Sequence, residues 1–488
     1  MTEEDKQAKA DESAASAQHE QARQASAGQA PASAAGASAS GDGGSTSSGD
    51  AAAGAGAVQR VDWHSPEMLA RLRRRHAANR RMKYIGLGAI VLAAALLGIL
   101  VSSLVNNGTS AFRQTYIALE FDLKPELVNP ENMRRGKWRR IVKEGLLRAL
   151  PEEYRQNRRL ARKVLKIVSR SAPYALRDHV MENPQLVGRT ISFEVLAADP
   201  FDQYNKGIIP AVIGDGEKQR PNPRLGGPEL VRAFEILKEQ QRVSMPFNWG
   251  LFFHADSRLP ETAGLAGAIV GSFLTLLVCF VISFPTGILA AIYLEEFAPK
   301  NRLTDFIEIN INNLAAVPSV VFGLLGLALF IGFFGVPRST PLVGGMVLSL
   351  MTLPTIIIAT RAALKAVPPS LREAALGVGA SHHQMVFHHV LPVAMPGILT
   401  GAIIGMAQAL GETAPLLLVG MNAFIPDISN MGLTQPATVL PTQIYSWADS
   451  PERGFVSRTA AAILVLLGFL VVMNALAIWL RQRYSTKW

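Results

Sequence analysis

The sequence predicts an all-α polytopic membrane protein of six transmembrane helices, with an extracytoplasmic α+β domain inserted after the first. Three observations carry that expectation. Charge-free apolar runs occupy residues 84–105, 263–294, 309–337, 339–360, 390–411 and 459–480. Each reaches the ~20 residues that cross a ~30 Å hydrocarbon core as a helix. The mean hydropathy is positive, +0.20, although 18% of the 488 residues are charged, so membrane segments coexist with a large polar portion. Finally, the polar stretch 106–262 is long enough to be a domain and alternates strand and helix patterns.

Residues 1–58, as in "PASAAGASASGDGGSTSSGD", hold too few bulky apolar side chains to offset chain entropy and read as a disordered cytoplasmic tail. Residues 59–83 form a basic juxtamembrane segment, with Arg71, Arg73, Arg74, Arg75, Arg80, Arg81 and Lys83 crowded before the first span. A basic amphipathic helix for nucleic acid is the competing reading. Adjacency to a span favours orientation instead, with the N-terminus in the cytoplasm and no nucleic-acid partner. The span at 84–105 lies too far from Met1 to be a cleaved signal and is expected to stay as an anchor.

Six crossings from that start place 106–262, the turn at 338 and the 421–458 connection outside, and 295–308 and 481–488 inside. The 106–262 segment carries 26 Lys and Arg against 19 Asp and Glu, but long loops translocate largely regardless of charge. Within it "TYIALEFDL" and "RTISFEVLA" alternate as half-buried strands do, and "WRRIVKEGLLRALPEEYRQNRRLARKVLKIVSR" has helical spacing. Its basic surface could attract an anion or an acidic partner; plain solvation of the charges is the simpler reading.

The remaining transmembrane region, 263–480, contains the single cysteine, Cys279, so no intrachain disulfide can form; a small buried side chain is expected there. It is interrupted at 368–392 by "PPSLREAALGVGASHHQMVFHHVLP", long for a simple turn between helices. The prolines stop the preceding helix, Ser370 with Glu373 has capping-box spacing, and Gly377 and Gly379 end a helix of about two turns. His382, His383, His388 and His389 lack the i, i+4 spacing of a helical zinc site, so no metal is expected.

Glu373-Ala374-Ala375, then Gly379, then Leu391-Pro392 resembles the EAA loop of ABC importer permeases. That resemblance implies a type I importer permease fold, in which this short helix docks into an ATPase subunit and couples to it. His389 stands where the family usually has an aliphatic residue. "AAVPSVVFGLLGL" at 315–327 and "AQALGETAPLLLVG" at 407–420 are similar to phosphate-transport permeases of the PstA type, over residues from about 263 to 480. The chain has no G-x-x-x-x-G-K-[ST] loop, so ATP hydrolysis is expected from a partner subunit and no cofactor from this chain.

A phosphate path needs donors to replace water. Arg361 is the leading candidate, with an ordinary positive-inside flank as its alternative. Gln408 stands where the resembling permeases often carry arginine. Glu412, followed by Thr413, is an intramembrane carboxylate and is expected to pair with an arginine, Arg361 or one from a partner subunit; a helix-end acid reaching interfacial water is the other reading. Pro318-Ser319 and Pro354-Thr355 could free backbone N–H groups for an anion, or be simple kinks.

The expectation is therefore the permease subunit of an ATP-driven phosphate importer in a bacterial plasma membrane. Its partners would be an ABC ATPase dimer, a second homologous permease, an extracytoplasmic phosphate-binding protein and membrane lipid. Another small oxyanion, molybdate or sulfate, is the alternative cargo. A receptor sensing through 106–262 is the alternative class, disfavoured by the EAA loop.

Overall fold

A computed structural model of the chain describes residues 66–214 and 219–484, and these divide into two units at the boundary between Tyr84 and Ile85. The tail expected at 1–58 and the last residues, 485–488, lie outside the described residues. Helix α1, Pro66–Gly108, contains the first apolar run, and residues 85–100 of it are exposed throughout, as a lipid-facing helix would be.

The inserted region is built on a three-stranded antiparallel sheet. β1, Tyr116–Asp122, buries Ile117, Leu119 and Phe121 and exposes or half-buries the residues between, so strand alternation decides its inner face. Helix α2, Trp138–Arg148, lays Ile141, Val142 and Leu146 onto that face. Gly145 makes the approach possible: a Cβ there would stand 2.7 Å from the Phe121 ring and 2.8 Å from the Glu120 carbonyl. The helical stretch read as continuous breaks at Pro151, resumes for Glu152–Gln156, and restarts again where the Asn157 side chain accepts from Arg159 and Leu160 N–H. Helix α3, Ala172–Glu182, follows, and β2, Thr190–Leu196, pairs along all of β1. Helix α4, Pro228–Glu239, completes the same core, and β3, Val243–Ser244, pairs on the other edge of β1.

Helix α5, Ala266–Ile292, begins the membrane bundle. The third run does not form one straight span. Helix α6, Arg302–Ala315, and helix α7, Ser319–Leu325 with its continuation to Phe333, meet at 105°. Pro318 lacks an N–H and disfavours helical geometry at Val317, and the polar "NINN" keeps α6 from being apolar all round. Counting the bent pair as one, six helical segments among the described residues are apolar and long enough to cross a membrane.

Helix α8, Pro341–Lys365, is the centre of the bundle and stays continuous through Pro354. Helix α9, Pro369–Gly377, forms the coupling-loop helix, and helix α10, Leu391–Gly411, is the fifth span, whose helical path already starts at His382. Helix α11, Ala414–Leu418, helix α12, Leu440–Ala448, and the last span α13, Phe455–Tyr484, complete the chain. Small residues sit at the crossings. A Cβ on Gly345 would meet Val278 of α5 at 2.5 Å, and Gly397 and Gly401 of α10 face Ala363 and Ala359 of α8.

The inserted domain and the bundle share a buried polar junction. Arg458 of α13, 4% exposed, donates to the Ala263 carbonyl (2.8 Å), the Gln114 side chain (2.7 Å) and the Glu261 carbonyl (3.2 Å). Ser169 donates to the Glu261 carboxylate at 2.7 Å, and Asp202 accepts from the Thr115 N–H while pairing with Lys206. Burial pushes Glu261 up and Lys206 down from their ordinary pKa values, each against its bonded partner.

Gly345→Leu should destabilise the bundle by roughly 1–3 kcal/mol through overpacking against Val278. Gly468→Leu, where no atom stands within 4 Å, is the matched control. Equal melting temperatures in detergent for both variants would remove the crossing from its assigned role.

Candidate functional site

At one end of the bundle α9 is held rigidly on one side and left bare on the other. Val367-Pro368-Pro369 ends α8, and the N-cap of α9 is Pro368, so Ser370 and Glu373 form no capping box. The box that does form is Ser381 with Gln384, whose amide oxygen accepts from the Ser381 N–H at 2.9 Å. Arg372 takes over the fastening. It donates to the Val367 carbonyl (2.7 Å) and, as an added donor beside the Val367 N–H, to the Leu364 carbonyl (2.9 Å), and pairs with Glu296 at 2.8 Å. The Glu296 side chain is 5% exposed, and its own carbonyl meets His382 Nε2 at 2.8 Å. Ala375 points into a core with Leu364, Val367, Met385 and Val386.

The opposite face of α9 presents Glu373, Ala374, Leu376 and Val378, the last 83% exposed. Gly379 turns the chain with φ +87° and has open space around it. Leu391 is half-buried and Pro392 exposed where α10 begins. His388 and His389 are exposed, and among the described residues no group of three or more His, Cys, Asp or Glu could hold a metal ion.

Arg361 lies at the same end, in a network that corrects its expected pairing. Its Nε stands 3.3 Å from Glu295 and its Nη2 2.5 Å from Glu308 of α6, while Lys365 reaches Glu295 at 3.5 Å. The guanidinium, 14% exposed, is thus already engaged by two carboxylates. Glu412 is elsewhere. The glycine contacts show α8 and α10 antiparallel, which puts the end of α10 level with about Leu348. Thirteen residues of helix separate 348 from 361, roughly 20 Å, so an Arg361–Glu412 pair is out of reach within this chain.

Glu412 and Thr413 are half-buried at the break between α10 and α11, and Gln408 is exposed on the last turn of α10. Ser319 opens α7 at the other break. These two breaks belong to one packed pair, since Gly323 of α7 faces Pro415 of α11, where a Cβ would stand 2.7 Å from Pro415 Cα. So the helices that begin at Ser319 and just after Thr413 pack on each other, and Gln408, Glu412 and Thr413, at the end of α10, lie away from Arg361. Sequence reasoning missed Glu295, Glu296, Glu308 and Arg372. The available signal was the acidic pair in "YLEEF", set against a flank where cations are expected.

Residues 283–486 match a family model described as a binding-protein-dependent transport system inner membrane component, and residues 69–213 match a domain of unknown function (DUF3333). The phosphate transport system permease protein PstA of Yersinia pestis is 34% identical over 220 residues, covering 45% of this chain and 73% of the relative. The chain belongs to the PstA-type ABC importer permeases. The probable ABC transporter permease protein YqgI of Bacillus subtilis is 30% identical over 239 residues, 46% of this chain and 80% of its own. The phosphate transport system permease protein PstA 1 of Mycobacterium tuberculosis is 33% identical over 229 residues, 46% and 72% respectively. The permease is accordingly a multi-pass inner-membrane protein. The transport family match begins inside α5, so α1 and the inserted domain lie outside it.

If the Arg361 network holds α6 to the bundle, Arg361→Ala should loosen it by roughly 1–3 kcal/mol, between the values for exposed and buried pairs. Hydrogen exchange across 302–315 should accelerate, with Glu308→Gln giving a smaller effect. Unchanged protection in both variants would show that apolar contacts alone hold α6.

Proposed function

We propose that this chain is the permease subunit moving inorganic phosphate inward across a bacterial plasma membrane, driven by a separate ATPase dimer. The observation that carries the coupling is the two-sided helix α9. Its inner side is fixed to the turn Tyr293–Phe297 that continues α5 by Arg372–Glu296 and to the core by Ala375, while Glu373, Leu376 and Val378 stand free. A partner gripping the free side moves the ends of α5, α8 and α10 as one body, because these residues leave it no slack. The exposed Leu376 and Val378 supply apolar contact, and Gly379 lets the chain leave that contact without a side chain in the way.

Phosphate as cargo is supported by the similarity to the phosphate transport system permeases of Yersinia pestis and Mycobacterium tuberculosis. With Arg361 already neutralised, the groups left to meet the anion are the Gln408 amide and the chain breaks at Ser319 and Thr413. Glu412 beside them would set polarity rather than bind. A second, homologous permease would supply the facing wall, and an extracytoplasmic phosphate-binding protein would deliver the anion to the end bearing the inserted domain. Both termini then lie in the cytoplasm, as the basic residues before the first span favour.

Radiolabelled phosphate uptake in a strain lacking this chain should return with the wild-type gene and resist competition by molybdate and sulfate. Gly379→Val, strained at positive φ, should leave membrane levels intact but cut uptake at least about tenfold while ATP hydrolysis continues. Normal uptake by that variant would sink the coupling assignment, and competition by molybdate or sulfate would change the cargo.

The orientation is checked separately. Ala175→Cys on the exposed face of α3, combined with Cys279→Ser, should label with a membrane-impermeant maleimide in intact spheroplasts. Labelling only after lysis would invert the topology.

A further inference from the structure

The inserted domain carries a charge excess to which transport through the bundle assigns no role. Between residues 134 and 177 fifteen Lys and Arg stand against three Asp and Glu. The fold gathers a subset of these cations round one cleft of about 1040 Å³. Local structure explains the gathering. Trp138, Ile141, Val142 and Leu146 turn one stripe of α2 to the core, which leaves Arg139, Arg140 and Lys143 on its outer side. The Trp138 indole donates to the Met133 carbonyl at 2.7 Å, folding Arg134 back beside Lys137. Gly136 permits that fold, because a Cβ there would stand 2.7 Å from both the indole nitrogen and the Val128 carbonyl. The stretch entering α3 adds Arg170, and Arg177 lies over the Tyr174 ring at 5.4 Å.

Arg140 pairs with Glu144 and Arg177 with Asp178. Among the described residues, Arg134, Lys137, Arg139, Lys143 and Arg170 have no ion pair, although they line one concavity. Five cations without an acidic partner, held together, repel one another and give the cleft a positive potential that solvent screens only in part. Ser169, in the same cleft, is bonded to Glu261 at the junction with the bundle, and Tyr174 also lines a cavity with Phe253, Phe424 and Asp427. The cleft therefore opens beside the bundle's outer mouth.

We propose that this cleft is a binding site for an anion bearing several phosphate groups. Guanidinium forks match phosphate oxygens two at a time, and ammonium groups add point charge. A single orthophosphate carries less than half the charge of the five free cations, so a ligand with two or more phosphates fits the site and one alone does not. Two sources share that chemistry: a soluble oligophosphate, or phospholipid headgroups at the membrane surface. The exposed aromatic cluster Phe247, Trp249 and Phe253 marks that surface near the cleft.

The test uses the full chain in zwitterionic nanodiscs. Short linear polyphosphate, orthophosphate and polyglutamate of matched length are titrated, and flotation with phosphatidylglycerol and phosphatidylcholine vesicles is measured in parallel with detergent-solubilised protein. The cleft variant combines Arg134→Gln, Lys137→Gln, Arg139→Gln and Arg170→Gln, all exposed, so folding is retained. A control removes the same charge outside the cleft through Arg158→Gln, Arg159→Gln, Arg162→Gln and Lys166→Gln. Polyphosphate binding that falls about tenfold or more in the cleft variant, and about twofold or less in the control, supports a site for a soluble anion. Phosphatidylglycerol binding with the same pattern, and none to polyphosphate, supports the lipid source. Equal losses in both variants, polyglutamate binding as tight as polyphosphate, or no binding to either phosphate ligand would each overturn the proposal.

Discussion

Close approach of α8 to its neighbours is the constraint on which the rest of the bundle depends. In lipid the hydrophobic effect gives helices little reason to associate, so packing contact has to supply it. Gly344 and Gly345 let α8 press on Thr275 and Val278 of α5, and Gly287 does the same lower down against Ile356. On its other side α8 receives Gly397 and Gly401 of α10. Because α8 is held on both sides, its last turn is a fixed platform. Everything at that end is built on it: the Leu364 and Val367 carbonyls that Arg372 caps, and the cations Arg361 and Lys365 that collect Glu295 and Glu308.

The two ends of the bundle solve different problems with buried charge. At the coupling end, carboxylates on the turn after α5 and on α6 neutralise arginines on α8 and α9, and the pairs join elements far apart in sequence. At the other end Arg458 is satisfied chiefly by carbonyls and an amide, with the carboxylates of Glu261, Asp199 and Asp202 near enough to influence it. Breaking either arrangement strands a buried charge, which costs far more than its formation contributes. Those networks give geometry more than stability.

Much was legible without coordinates. The apolar runs announce themselves because a bilayer demands about twenty unbroken apolar residues whatever the tertiary structure. Strands at 116–122 and 190–196 follow from simple alternation, and the end of α9 from Gly377 and Gly379. Where the reading slipped, a local signal was outweighed. Ser370 has a good capping spacing, but the two prolines before it fix the helix start two residues too early for its side chain to cap. At Pro318 the kink that the sequence offers is present, but hydropathy averaged over 309–337 hides how sharp it is, 105°, with one missing N–H and a steric clash behind it.

The sequence by itself determined the class of protein, its membrane segments and the family motif of the coupling loop, since each depends on composition or spacing within one stretch of chain. Only the tertiary structure decided the partners of Arg361. Its nearest carboxylates, Glu295 and Glu308, lie 66 and 53 residues away, and the distance between Arg361 and Glu412 depends on the antiparallel packing of α8 and α10. The same holds for the basic cleft. Charge count is a property of the chain, but whether cations face one concavity or scatter over a surface is set by which stripe of α2 the core claims.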